Sequence, residues 1–207
     1  MKLLACSDIH GHLEAAEILA SKASEEGFNI ILVAGDLTHF GPAELGRKVV
    51  ETLLKSGLPV LHVPGNIDPP GLHEALKDVG VSLHGRGVEV EGLKIVGAGY
   101  EDGVSQPLRR GIAELGKPPD IVLTHVPPYG SKVDVAWSGE HVGSVELADF
   151  LREFKPRLSI CGHIHEARGV DQLNGTLICN PGPAFKGFYA EVLFEERVEV
   201  SLEKFEF

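Results

Sequence analysis

The stretch Lys2-Leu3-Leu4-Ala5-Cys6-Ser7-Asp8-Ile9-His10-Gly11 decides the fold. A short apolar strand runs directly into an aspartate, a histidine two positions on, and a glycine turn. A helical stripe of Leu13, Ala16, Leu19, Ala20 and Ala23 follows over Leu13–Ala23, with Gly27 where a C-terminal cap belongs. Strand, polar turn and helix make the repeating unit of an α/β fold, in which polar residues collect at the carboxyl ends of the strands.

The unit recurs. Ile30–Ala34 reads as a buried strand before a helix over Ala43–Ser56 that stops at Gly57. Val60–Val63 precedes a shorter helix, Leu72–Val79, closed by Gly80. Val81–Leu83, Val88–Val90 and Leu93–Ala98 read as consecutive strands. Ile121–Leu123 and Leu158–Cys161 flank a helix over Val145–Phe154 with Ser144 as N-cap. Asn174-Gly175 between Val170–Leu173 and Thr176–Cys179 is a type I′ hairpin signal, and Ala190–Phe194 pairs with Arg197–Leu202 around Glu195-Glu196. With 207 residues and no repeat or flexible linker, one α/β domain spanning 1–207 is expected, with extra antiparallel strands at its C-terminal end.

Four further polar segments follow strand-like runs: Gly35-Asp36, Gly65-Asn66-Ile67-Asp68, Thr124-His125 and Gly162-His163-Ile164-His165. Singly, each is an ordinary turn or a core histidine. In this order, each after a strand, they gather Asp8, His10, Asp36, Asn66, His125, His163 and His165 as candidate metal ligands. Asp8 and His10, like His163 and His165, are two apart, so extended backbone would point each pair one way. Carboxylate, imidazole and amide together suit two divalent transition-metal ions, with Mn first and Fe, Zn, Ni or Co next. With Asp36 bridging, Asp8, His10, Asp36 and His165 would hold one ion, and Asp36, Asn66, His125 and His163 the other. Two such ions, offset by two aspartates and a bridging hydroxide, leave about one positive charge, enough to draw a phosphodiester monoanion.

The ordered motifs resemble the calcineurin-like metallophosphoesterase superfamily, whose pattern is D-x-H, G-D, G-N-H-D/E, H and G-H-x-H. The chain looks closest to its small prokaryotic phosphodiesterase-like branch. The resemblance runs from Asp8 to His165 and agrees with the ligand roles above. It implies a four-layer α/β/β/α sandwich and a dinuclear metal centre whose bridging hydroxide attacks phosphorus.

The departure is Ile67. The family histidine at this position contacts phosphate and protonates the leaving oxygen, and isoleucine does neither. Losing a general acid typically costs ~10²–10⁴ in rate. Losing a cationic donor hurts a phosphomonoester dianion more than a diester monoanion, so the expectation is phosphodiester hydrolysis. His39, three positions after Asp36, resembles the histidine that follows G-D in the repair-nuclease branch and is the candidate catalytic residue, against an exposed loop histidine. Asp68, left without its histidine partner, is expected to cap the turn or helix that begins at Pro69. His12 reads as a capping or packing residue and His62 as a strand residue packed under the site. His73 and His84 read as surface or strand-end residues. Tyr129, Trp137 and His141 lie in the long loop after His125, where stacking on a nucleotide base competes with ordinary, partly buried anchoring.

A net charge of −11 argues against long nucleic acid, whose binding draws on a basic stripe, and favours a small phosphorylated substrate. Cys6, Cys161 and Cys179 form no C-x-x-C and read as buried reduced thiols. No run approaches the roughly 20 apolar residues of a membrane span, and Asp8 and His10 come too early for a secretory leader. A cytoplasmic protein, away from membranes, is expected, with homo-oligomer formation left open. The reading is a metal-dependent phosphoesterase acting on phosphodiesters of small molecules or nucleotides. Its rival is a weak or inactive member of the fold serving as a metal-binding interaction scaffold. A full set of seven ligands favours the enzyme.

Overall fold

The computed structural model describes residues 1–100 and 103–207. Twelve strands and five helices are seen among them, in the order β1 (Lys2–Cys6), α1 (Leu13–Glu25), β2 (Ile30–Ala34), α2 (Ala43–Leu54), β3 (Val60–Val63), α3 (Leu72–Ala75), β4 (Val81–Ser82), β5 (Gly87–Val90), β6 (Leu93–Ala98), α4 (Ser105–Leu115), β7 (Ile121–Thr124), α5 (Val145–Phe154), β8 (Leu158–Ile160), β9 (Gly169–Leu173), β10 (Thr176–Asn180), β11 (Phe188–Phe194) and β12 (Val198–Lys204). One sheet runs β12-β11-β1-β2-β3-β4 and the other β5-β6-β7-β8-β10-β9. β1 to β4 are mutually parallel, as are β6, β7, β8 and β10, while antiparallel strands close the far edges.

Alternation along the strands builds the layers. In β1, Leu3 and Ala5 point between the sheets, and Leu4 and Cys6 point to the other face. β2 divides in the same way, Ile30, Leu32 and Ala34 inward and Ile31 and Val33 outward. The inward set meets Ile95, Ile121, Leu123, Leu158 and Ile160 of the second sheet. The outward set is covered by Ala16 and Leu19 of α1 and Val49, Val50 and Leu53 of α2. On the far side Val96, Val122 and Ile178 lie under Leu108 of α4 and Leu147, Phe150 and Leu151 of α5. Strands buried on both faces need unbroken apolar runs, and helices need one stripe. The result is the expected α/β/β/α sandwich. Each buried Leu or Ile contributes roughly 1.5–3 kcal/mol by leaving water.

Local signals held where the backbone governs. Asn174 and Gly175 both take positive φ, 52° and 90°, at the β9–β10 turn. The Ser144 side chain caps α5 by accepting from the Leu147 amide at 3.1 Å. α4 has no counterpart in the sequence reading, because Pro107 and Gly111 disguise it. Proline is tolerated in a first turn. Gly111 lets the helix lie against β5, for a Cβ there would come within 2.6 Å of the Arg86 carbonyl. α3 is one turn instead of the two expected, and i to i−3 bonds such as Val79 N–H to the Leu76 carbonyl (3.0 Å) finish it. All three cysteines are buried and free, as expected. Among the described residues no helix is long and apolar enough to cross a membrane.

His62 lies in β3 on the face of the α1–α2 layer, its Nε2–H donating to the Val79 carbonyl at 3.2 Å. Burial pushes its pKa down from 6.5 to about 4, outweighing that bond. The depressed value means stability is intact above pH 6.5 and is lost as pH falls towards 4, by about 3 kcal/mol at the limit. Thermal melts of wild type and His62→Gln from pH 7.5 down to 4 should converge as the pH drops. A constant gap would show that His62 does not carry this term.

Candidate metal centre

The carboxyl ends of β1, β2, β3, β7 and β8 reach one rim, and each proposed ligand segment leaves from one of them. The backbone there is not extended, contrary to the spacing argument. Asp8 (φ 54°), His10 (φ 54°), Asp36 (φ 53°) and His163 (φ 70°) are all left-handed. Such a conformation costs a non-glycine residue roughly 1–2 kcal/mol. It turns the chain sharply while the Asp8, His10 and Gly11 amides keep bonding the Gly35, Asp36 and Leu37 carbonyls at 2.8–3.0 Å.

Those turns bring the side chains together. Ligating atoms of Asp8, His10 and His165 lie within 4.8 Å of one another, as do those of Asp8, Asp36 and His125. His165 Nε2 is 3.0 Å from Asp8 Oδ1 and 3.4 Å from His10 Nε2. Asp8 is common to both groups, and Asp36 Oδ2 of the second reaches towards the first, 3.9 Å from His10 Nε2 and 3.4 Å from His125 Nε2. Asn66 Oδ1 is 2.8 Å from His125 Nε2. The His163 ring centre is 5.0 Å from that of His125, and its amide donates to Asp8 Oδ2 at 3.3 Å. All seven expected residues thus share one cluster.

The surrounding shell aims them. His125 Nδ1–H donates to the Ala34 carbonyl at 2.8 Å, which turns Nε2 inward. The Ile67 amide donates to Asp36 Oδ1 at 3.1 Å, leaving Oδ2 for the cluster. Gly65 permits this, since a Cβ there would collide with the Asp36 carboxylate. Ser7 donates its hydroxyl to Asp8, and Phe185 packs edge-on against His10 and His165, at 4.9 and 5.6 Å. No periodicity in the sequence marks Phe185 or the Ile67 amide.

Electrostatics follow the crowding. Burial opposes ionisation of Asp8, yet the imidazoles beside it, His165 at 3.0 Å and His10 at 3.7 Å, prevail and hold its carboxyl well below the ordinary range. Burial also opposes protonation of His125, but Asp36 and Asp8 push its pKa up to about 9. His163, desolvated and beside His125, falls to about 4 and stays a neutral donor at pH 7. Two buried carboxylates are calling for positive charge that a cation would supply while displacing a proton. The donor set therefore fits a pair of divalent ions.

His39 is exposed, with Nδ1 2.8 Å from His10 Nδ1. Asp68 corrects the sequence reading. Its carboxylate accepts from Leu37 N (3.1 Å), Thr38 N (2.7 Å), Thr38 Oγ1 (3.0 Å) and Gly65 N (2.8 Å), and so ties the Gly35-Asp36 loop to the Gly65-Asn66 loop instead of capping the turn that begins at Pro69. His12 packs on Phe207 at 5.2 Å without a side-chain cap bond. His84 is buried, its Nδ1 accepting from Gly99 N at 3.1 Å, with the His73 ring 4.6 Å away. His62 is a buried β3 residue, as expected, and its ring faces the helix layer. Tyr129 is half-exposed and Trp137 is 88% exposed, so partly buried anchoring does not describe Trp137.

A sequence model of the calcineurin-like phosphoesterases matches residues 1–167. The chain belongs to that family. Metallophosphoesterase members use dinuclear divalent metal centres, as the cluster at this rim allows. An uncharacterised protein of Methanocaldococcus jannaschii, MJ1162, is 28% identical over 202 residues, covering 88% of each chain. Two solved structures share the fold: TT1561 of Thermus thermophilus (TM-score 0.76, 20% identity, 98% of both chains) and an archaeal phosphodiesterase (TM-score 0.64, 18% identity, 99% of this chain and 100% of that one).

Asp68→Ala would strand three backbone amides and a hydroxyl, at a cost of about 3–5 kcal/mol. Differential scanning calorimetry should register it as a large fall in Tm. Gly65→Ala should lower Tm as well, since its Cβ would meet the Asp36 amide nitrogen and carboxylate, and in the folded protein it should cut metal affinity, read by isothermal titration with Mn(II), because it displaces Asp36. Unimpaired metal binding in Gly65→Ala would mean that Asp36 is not held as described.

Proposed function

We propose that this protein is a metal-dependent phosphoesterase that hydrolyses phosphodiester bonds of small molecules or nucleotides. The observation that carries the proposal is Asp36 Oδ2 facing both halves of the cluster, 3.9 Å from His10 Nε2 and 3.4 Å from His125 Nε2, with Asn66 Oδ1 2.8 Å from that same His125 nitrogen. Asp36 would be the ligand shared by two ions, with Asp8, His10 and His165 completing one site and Asn66, His125 and His163 the other. When bound, divalent ions supply an acidified water and Lewis-acid stabilisation of the phosphoryl oxygens. Mn is the first choice among Mn, Fe, Zn, Ni and Co for this donor set.

The chain's own residues select the ester. Ile67 offers only an amide, already given to Asp36, so no cationic donor meets a phosphomonoester dianion at that position. A monoanionic diester needs it less. With His10 Nε2 turned to the cluster, its Nδ1–H donates to His39 Nδ1, and His39 keeps an Nε2–H at the exposed rim. His39 therefore both orients His10 and holds a proton near the departing oxygen. The likeness to an archaeal phosphodiesterase supports the same reading. The charge of −11 favours a small substrate over a polymer, and a cytoplasmic setting accords with reduced, buried thiols.

Protein stripped with EDTA should be inert and regain turnover of bis(p-nitrophenyl) phosphate on addition of Mn, Fe, Co, Ni or Zn, outpacing p-nitrophenyl phosphate. Silence with every ion would favour the scaffold reading. His39→Asn should lower diester turnover or metal affinity by about 10–100-fold. An unchanged rate at limiting metal removes His39 from the mechanism.

A further inference from the structure

Trp137 is the single tryptophan of the chain and stands 88% exposed. The loop that carries it is tightly bonded. Val135 bridges His141, Ala136 N–H bonds the Glu140 carbonyl at 3.0 Å, and Gly139 N–H bonds that of Ala136 at 2.8 Å. Below this tip the fully buried Asp134 carboxylate accepts from His141 Nδ1 (2.6 Å), Gly130 N (3.0 Å) and Gly143 N (3.2 Å). A final bond ties the tip beside a ligand segment: the Trp137 backbone N–H donates to Glu166 Oε1 at 2.9 Å, and Glu166 directly follows His165 in the chain. An indole is thus exposed on a well-bonded loop whose backbone is fastened to the residue that follows a proposed ligand. Leaving so large an apolar face bare is unfavourable unless something covers it.

Two more exposed rings lie beside histidines of this rim. Tyr100, 50% exposed, has its ring 6.0 Å from that of His163, and Phe40, 77% exposed, lies 5.3 Å from His39. A planar group joined to a phosphodiester would meet aromatic faces when its phosphate sits on the cations. Nucleobases have that plane, and every base can stack. The strongly acidic chain turns away the polymer, which leaves nucleotide-sized molecules.

We propose that Trp137 stacks on the base of the substrate, and that the phosphodiester hydrolysed at this site is a small nucleotide. The inference rests on the phosphodiesterase reading for its catalytic half, and binding tests it separately. Adenosine 5′-monophosphate and ribose 5-phosphate share sugar and phosphate and differ in the base. With Mn(II)-loaded wild type, the monophosphate should quench the lone tryptophan's emission saturably and, by isothermal titration, bind about tenfold more tightly than ribose 5-phosphate. Trp137→Ala should bring the two ligands to equal affinity, and Trp137→Phe should restore most of the preference. Equal affinities in wild type, no binding of the monophosphate at millimolar concentration, or a preference that survives in Trp137→Ala would each overturn it. So would loss of a dimer in Trp137→Ala without any base preference, which assigns the indole to self-association. Base preference without diester turnover would sink the hydrolase reading alone; turnover without base preference would sink this inference alone.

Discussion

The Asp36 carboxylate is the constraint on which the rest of the site depends. One oxygen is fixed by the Ile67 amide and the other faces His10 on one side and His125 on the other. That division requires a left-handed backbone at Asp36, a neighbouring residue without a Cβ at Gly65, and a clamp between the two loops at Asp68. The left-handed turn costs local stability, and the Asp68 clamp together with the double-sided apolar packing of β2 beneath Asp36 offsets it.

Two sheets are needed because one cannot deliver the ligands. β1, β2 and β3 bring Asp8, His10, Asp36 and Asn66 from the first, while β7 and β8 bring His125, His163 and His165 from the second. The apolar layer between them sets the spacing. Gly97 of β6 shows how close the contact is, since a Cβ there would press on Leu83 and Val63. A second consequence is electrostatic: two buried aspartates converge with several imidazoles, and the concentrated negative charge favours a cation.

Ile67 shows how loss of one side chain leaves a backbone role intact. The position no longer has a donor for phosphate, yet its amide still holds the bridging carboxylate. His39 occupies the neighbouring rim from a different loop and bonds the outer nitrogen of His10. Exposed rings accompany this polar centre, Tyr100 beside His163 and Phe40 beside His39.

Much was legible from the chain alone. Unbroken apolar runs identify strands buried on both faces, helical stripes identify the outer layers, and polar residues after each strand name all seven members of the cluster, because periodicity and strand-end chemistry are local properties. Other features escape it. α4 was hidden because Pro107 and Gly111 make sense only against the β5 backbone. The left-handed turns at Asp8, His10, Asp36 and His163 come from cross-loop hydrogen bonds that spacing does not encode. Asp68 binds amides about 30 positions away in sequence (separations of 30 and 31), and Trp137 is exposed because its loop is tied to Glu166. Residue types were thus set by sequence, whereas partners and exposure were decided by tertiary structure, since they depend on segments that meet only after the sheets pack.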